Sequence, residues 1–333
     1  MSTEQQEWAG AGQGEGRDGV AAPGHPLAQS DHAVLPAGRW AARTVEVPGA
    51  VLAVRGPTAD EEAALPEALF VHGLGGSSDN WTELMGELTG VVRGEALDLP
   101  GFGYSAPPPD GNLSISGHVR AVIGYLETTG RGPVHLFGNS LGGAVAVRLT
   151  ALRPDLVRSL TLISPALPEL PPQRTAFPTG LLAVPGVPRL LQRFPSAGRS
   201  VEQTTDQLLG LVYGDVRTIP AEKRERAVAE YRRRMGLPYA MQVMTGSARG
   251  IVSAYTERGE QALWQQAERV EVPVLLVYGL RDKLVSYRSA ARACAAFQDA
   301  RLLVIPESGH VAMMEHPAQV GRAVREFLRE VGG

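Results

Sequence analysis

Short apolar runs recur along the chain at Thr44–Val47, Val51–Val54, Ala68–Val71, Glu95–Leu97, Pro133–Phe137, Ser159–Ile163, Val274–Tyr278 and Arg301–Ile305. Runs this short, rich in Val, Leu and Phe and set among turn residues, predict strands. The first two are joined at Pro48-Gly49, which predicts an antiparallel hairpin at a sheet edge. Most of the later runs alternate with stretches of helical spacing: Trp81–Leu88, Ser114–Leu126 with Ser114 as a cap, Ala144–Leu152, Glu260–Ala267, Tyr287–Phe297 and about Pro317–Val331. Strands alternating with helices predict an α/β fold with a mostly parallel sheet covered on both faces. Ligands then belong at the carboxyl ends of the strands.

The alternation stops between about Pro165 and Arg258. Prolines 168, 171, 172, 178, 185 and 188 crowd this stretch, no strand is predicted in it, and Gln203–Val212 and Glu222–Met235 are its clearest helices. Placed after a strand end, such an insertion predicts a lid over a site mouth. The organisation read from the pattern is a tail at 1–38, a core formed by 39–165 and 259–333, and a helical cap at 166–258. The apolar stretch Phe177–Phe194, with Arg189 and Arg193, reads first as packing inside the cap; contact with a membrane surface or acyl chain is the other reading. The charge run 224–234 reads as a solvated helix face.

Composition narrows the classes. With 44% hydrophobic and 20% charged residues among 333, the chain reads as a globular protein of one elaborated domain. The net charge of −3 gives no electrostatic reason to expect nucleic acid. Residues 1–38, rich in Gly, Gln and Ala, lack an apolar period and predict disorder. They do not read as a secretory signal, and no run has the length of a membrane span, so a cytoplasmic location is expected. The single Cys294 excludes an internal disulfide and reads as a small buried hydrophobe. No histidine spacing suggests a metal and no glycine loop a dinucleotide, so no cofactor is expected.

The candidate chemistry lies in the loops at the strand ends. GPVHLFGNSLGG, 132–143, reads strand, sharp turn, helix, with G-x-S-x-G at 138–142. A serine on such a turn projects its hydroxyl clear of the sheet, which makes Ser140 a candidate nucleophile. The Leu141 N–H falls at a helix start, where it lacks an intrahelical partner and can bond an oxyanion. In HGLGGSS, 72–78, glycines 73, 75 and 76 let a backbone N–H turn toward a ligand, or simply connect strand to helix. Asp98 and Ser105 read as local ties that hold their loop. Asp282 and His310 each follow a strand, in GLRDKLV and ESGHVAMMEHP, and can complete an acid, base and nucleophile set with Ser140.

With HGLGG, DLPGFGYS, GNSLGG, GLRDKLV and ESGHVAMMEHP in this order, the chain from about Trp40 to Gly332 resembles the α/β-hydrolase-fold superfamily. The resemblance implies Ser140 as nucleophile, Asp282 as triad acid and His310 as base. It implies oxyanion-hole N–H groups from Leu74 and Leu141, with His72 positional and Gly73 and Asn139 shaping the site. Haloalkane dehalogenases and epoxide hydrolases carry an aspartate at the elbow, so Ser140 points instead to a small to medium, largely apolar ester or related acyl substrate. Asn139 resembles the elbow of hydrolases that cleave C–C bonds of ring-fission products, which keeps that activity as the alternative. Those enzymes, however, often carry Trp where this chain has Val311. They also use a cap arginine, and neither Arg217, Arg224 nor Arg226 can be aligned to it. A non-catalytic ligand-binding member of the fold is the remaining alternative.

Overall fold

The computed structural model describes residues 40–57, 64–169, 171, 173 and 200–332. The tail at 1–38 and the apolar stretch 177–194 lie outside the described residues. Along the chain come β1 (Trp40–Val47), β2 (Ala50–Pro57), β3 (Glu67–Val71), α1 (Thr82–Glu87), β4 (Arg93–Leu97), α2 (Ile115–Thr129), β5 (Val134–Asn139), α3 (Leu141–Leu152) and β6 (Val157–Ile163). Among the described residues three helices follow without a strand: α4 (Val201–Val212), α5 (Ala221–Met235) and α6 (Ala240–Ser253). The chain then continues with α7 (Leu263–Glu268), β7 (Val274–Gly279), α8 (Ser289–Ala296), β8 (Ala300–Ile305), α9 (Ala312–Glu315) and α10 (Pro317–Val331).

The strands form one sheet in the order β1-β2-β4-β3-β5-β6-β7-β8. β1, β2 and β4 pair antiparallel, and the rest of the sheet is parallel. The predicted hairpin turns at Pro48-Gly49, where Gly49 takes φ +75° and Val47 pairs Ala50. β5 and β7 are buried along their whole length, as strands covered on both faces must be. One face packs against α2, α3, α7 and α8 in the core around Leu136, Leu160 and Leu276; the other packs against α1 and α10 around Phe70, Phe137 and Val277. Ser114 caps α2 as expected, its Oγ accepting the Gly117 N–H at 3.1 Å.

Three expectations change. The pattern did not predict α6, because Thr245, Gly246, Ser247 and Gly250 are poor helix formers. Its glycines are there for packing: a Cβ on Gly246 would stand 2.7 Å from the Leu113 side chain, and one on Gly250 would stand 3.0 Å from the Ser114 Cα. Cys294, on α8, is only partly buried and packs against the edge of the core. The run 224–234 lies on α5, where Arg224 and Arg226 are exposed as expected but Arg233 and Arg234 turn toward the core loops.

Candidate active site

β5 ends at Asn139, α3 begins at Leu141, and Ser140 between them takes φ 53°, ψ −116°. A non-glycine residue there costs about 1–3 kcal/mol and persists only if its surroundings enforce it. They do: the Ser140 N–H donates to the Ile163 carbonyl at 3.2 Å, and the Ser140 carbonyl accepts from Ala144 at 3.1 Å and Ala166 at 2.9 Å. The turn is also too tight for side chains on its flanks. A Cβ on Gly138 would meet the Gly142 carbonyl oxygen at 2.5 Å, and one on Gly142 would collide with the carbonyl oxygens of Val71 and His72.

The loops after β7 and β8 bring Asp282 and His310 together. Asp282 Oδ2 lies 2.9 Å from His310 Nδ1, and Oδ1 accepts the N–H groups of Leu284 at 2.8 Å and Val285 at 3.0 Å. Burial alone would raise the Asp282 pKa. The His310 ring and the two backbone donors outweigh it and hold the carboxyl below its ordinary value. A carboxylate only accepts, so Nδ1 carries the ring proton and, in the neutral ring, Nε2 is left with its lone pair. The His310 N–H donates to the Val212 carbonyl at 2.7 Å, which seats the histidine loop against the end of α4.

Asn139 joins the elbow to that loop, its Nδ2 donating to the carbonyls of Ile163 at 2.9 Å and His310 at 3.0 Å. Gly73 lies over the elbow, where a Cβ would be 3.1 Å from the Ser140 Cβ. His72 is fully buried. Its Nε2 accepts the Leu99 N–H at 2.9 Å, so Nδ1 bears the proton and donates to the Gly73 carbonyl at 2.7 Å. Burial lowers its pKa against the opposing pull of Asp98. The ring is a neutral brace between two loops. Asp98 and Ser105 tie their loop as expected: Asp98 accepts from Ser78 N at 2.6 Å and Tyr104 N at 2.8 Å, and Ser105 Oγ donates to the Asp98 carbonyl at 2.6 Å.

Ser140 and His310 both line a cavity of about 620 Å³, which Leu74 and Gly73 also line. Its wall is mainly apolar, with Leu208, Val212, Met244, Ile251 and Val252 from α4 and α6 among the described residues. Leu141 turns its side chain into the core, and its N–H is the first of α3, where helix geometry provides no internal acceptor. Arg217, Arg224 and Arg226 are not among the lining residues. Arg217 pairs with Asp215, Arg224 pairs with Asp206, and Arg226 is exposed.

Two residues of this site were not singled out from sequence. Glu315 of α9 accepts the N–H groups of Gly309 and Gly214, both at 2.7 Å, and the Ser308 hydroxyl at 3.2 Å, fastening the histidine loop to the end of α4. Nothing local marks it. Arg234 lines the cavity with Ala227, Glu230 and Tyr231. That spacing is a helical stripe, and the uncharged Ala227 and Tyr231 within the charge run were the available signal.

The family model described as alpha/beta hydrolase fold matches residues 69–317. The chain is 30% identical over 265 residues to the dihydrolipoyllysine-residue acetyltransferase component of the acetoin cleaving system of Pseudomonas putida, covering 79% of this chain but only 63% of that protein. It is 28% identical over 275 residues to Esterase Rv0045c of Mycobacterium tuberculosis, covering 80% of this chain and 82% of that one. The crystal structure of haloalkane dehalogenase DbeA from Bradyrhizobium elkani superposes with a TM-score of 0.73 at 21% identity, over 88% of this chain and 99% of the other, a likeness of fold alone. The chain belongs to the α/β-hydrolase family. Among the described residues, no helix is long and apolar enough to cross a membrane.

Proposed function

We propose that the protein is a serine hydrolase that cleaves a small to medium, largely apolar ester through an acyl-enzyme, with Ser140 as nucleophile, His310 as base and Asp282 as the acid that orients it. The observation that carries this reading is the 2.9 Å Asp282–His310 bond beside a strained Ser140, with Ser140 and His310 in one apolar-walled cavity. Ser140 Oγ attacks the acyl carbon while Nε2 of His310 takes its proton. Asp282 keeps the other ring proton on Nδ1 and stabilises the imidazolium. The N–H groups of Leu74 and Leu141 receive the oxyanion, a donor of this kind contributing about 3 kcal/mol. The imidazolium returns its proton to the leaving alcohol, and water then repeats the sequence on the acyl-enzyme.

Residues 39–165 and 259–333 form the core in this reading, and 166–258 form the cap whose helices close the acyl pocket. The reaction needs no cofactor and takes a small-molecule substrate. A chain with one cysteine requires no oxidising compartment, and we place it in the cytoplasm. Both described hydrogen bonds of the Asn139 amide go to core carbonyls, a bracing role that favours neither bond type; the ester reading is preferred to C–C cleavage because Val311 stands where those hydrolases often carry Trp.

Turnover of p-nitrophenyl esters of graded acyl length by the wild type and by Ser140→Ala tests the proposal. A drop of several orders of magnitude in kcat is expected for the variant. Turnover that survives the substitution contradicts the reading, and a wild type inert to every ester brings forward C–C cleavage or ligand binding.

A further inference from the structure

Arg234 is the one arginine or lysine among the described residues of the cavity wall, and the triad does not use it. It sits in the last turn of α5, and its guanidinium lies over the Tyr231 ring at 5.4 Å. Its one hydrogen bond among the described residues runs from Nη1 to the Gly75 carbonyl oxygen, while Nε is buried without an acceptor. Three other arginines of this helix each have a carboxylate, Arg224 with Asp206, Arg232 with Glu202 and Arg233 with Glu230, while Arg226 is exposed to solvent. Among the described residues, Arg234 pairs with none. Glu230, which also lines the cavity, is held by Arg233 through bonds of 2.7 and 2.8 Å, and Glu169, at the wall, accepts the Ser286 N–H at 3.1 Å.

Withdrawing a cation from water costs several kcal/mol; the Glu230 charge favours Arg234 but its oxygens bond Arg233, so among the described residues the Arg234 head group has no carboxylate bonded to it and can take a further anion at the cavity. The local backbone accommodates the head group closely. Gly75 takes φ +72°, and a Cβ there would stand 3.1 Å from Arg234 Nη1. With Nη1 engaged, the edge formed by Nε and Nη2 is the one whose parallel N–H groups match the two oxygens of a carboxylate. Gly75 adjoins Leu74, and neighbouring Cα atoms are about 3.8 Å apart, so an anion on Arg234 lies only a short spacer from a carbonyl oxygen held at the Leu74 N–H.

We propose that Arg234 is a subsite for a second, carboxylate group of the substrate, which makes half-esters of short dicarboxylic acids the preferred substrates over neutral esters of the same length. The chemistry rests on the ester-hydrolase reading; the binding does not. In the reaction the acyl C–O bond breaks, water is consumed, and a dicarboxylate and an alcohol leave. The apolar side chains of Met244 and Leu208 line the same cavity and suit the methylene spacer.

Two measurements test the subsite. The first is kcat/KM for the monoethyl esters of succinic, glutaric and adipic acids against ethyl butyrate, valerate and hexanoate, followed by acid release in a pH-stat. The wild type is expected to favour the half-esters at least roughly tenfold, and Arg234→Met to lose roughly 10- to 100-fold on them, the range for a hydrogen-bonded charge, with a much smaller loss on the neutral esters. Arg234→Lys is expected to recover part of the preference through its charge. Equal losses on both series overturn the proposal, because they assign Arg234 to holding the Gly75 loop. The second is calorimetric titration of Ser140→Ala with glutarate, where adding Arg234→Met is expected to weaken binding at least roughly tenfold. Binding that ignores Arg234 overturns the subsite. Arg234-dependent binding in a protein that hydrolyses no ester upholds it and rejects the ester reading instead.

Discussion

The loops at the strand ends and the helices α4 to α6 border the same cavity but are held by different means. The loops are fixed backbone against backbone. Gly142 lies against the Val71 carbonyl, Asn139 spans two loops, and buried His72 and Asp98 accept backbone N–H groups. α5, by contrast, buries no residue fully and is held partly by ion pairs such as Arg224–Asp206 and Arg232–Glu202, whose members are largely exposed, and by Arg233, which reaches the Gly103 carbonyl at 2.8 Å. The difference teaches where each task can be placed. In the proposed reading, chemistry that tolerates little displacement sits where the backbone cannot relax, and selectivity sits where one side chain can change with little cost to the fold.

The comparison is broken most severely by removing charge from the loop side. Asp282→Asn leaves a neutral amide at His310 Nδ1 and is expected to lower kcat by about 10⁴-fold, measured on whichever ester the wild type turns over best. Glu315→Gln attacks the junction between the two regions. Its carboxylate receives three hydrogen bonds, and losing charge-assisted bonds of this type is expected to cost about 2–3 kcal/mol in urea unfolding and to lower kcat more than it raises KM, since His310 is displaced.

Acid sharpens the same contrast through buried histidines. Burial lowers the His118 pKa to about 3 and the His135 pKa to about 4, whereas both titrate near 6.5 when unfolded. Between these values the unfolded chain binds more protons than the native one. Stability is therefore expected to fall as pH drops below about 6.5, by about 1.4 kcal/mol per pH unit for each histidine, and to level off near the folded values. His118 Nε2 lies 3.1 Å from Ser247 Oγ, which links α2 to α6. Denaturant midpoints at pH 7, 6 and 5 are expected to decline less steeply in His118→Phe than in the wild type. The smallest effect belongs to the exposed face of α5: Arg224→Gln is expected to shift unfolding by less than about 0.5 kcal/mol.

What was legible in sequence follows from how local each signal is. All eight described strands coincide with apolar runs; inner strands such as β5 and β7, covered on both faces, need little besides apolar residues and a turn at each end, while the edge strands β1 and β8 are only partly buried. The elbow was legible because its constraint is intrachain and short: Gly138, Ser140 and Gly142 must lie together for the turn to exist. Asp282 and His310 were legible as strand-end residues, and the fold brings them within a hydrogen bond. The unread features depend on partners far along the chain. The glycines of α6 read as breakers until Leu113 and Ser114 are placed against them. Glu315 reads as an ordinary helix residue until the Gly214 N–H arrives. Arg234 reads as one member of a charge run until the pairing of its neighbours leaves it as the one turned to the cavity without a carboxylate.

The central claim, that Ser140 is a nucleophile activated by His310, is tested most directly by mapping a fluorophosphonate label. The account predicts a single modified peptide carrying Ser140 in the wild type, none in Ser140→Ala, and labelling slowed by several orders of magnitude in His310→Ala. A label found on another residue, or one that reaches Ser140 as fast without His310 as with it, contradicts the account.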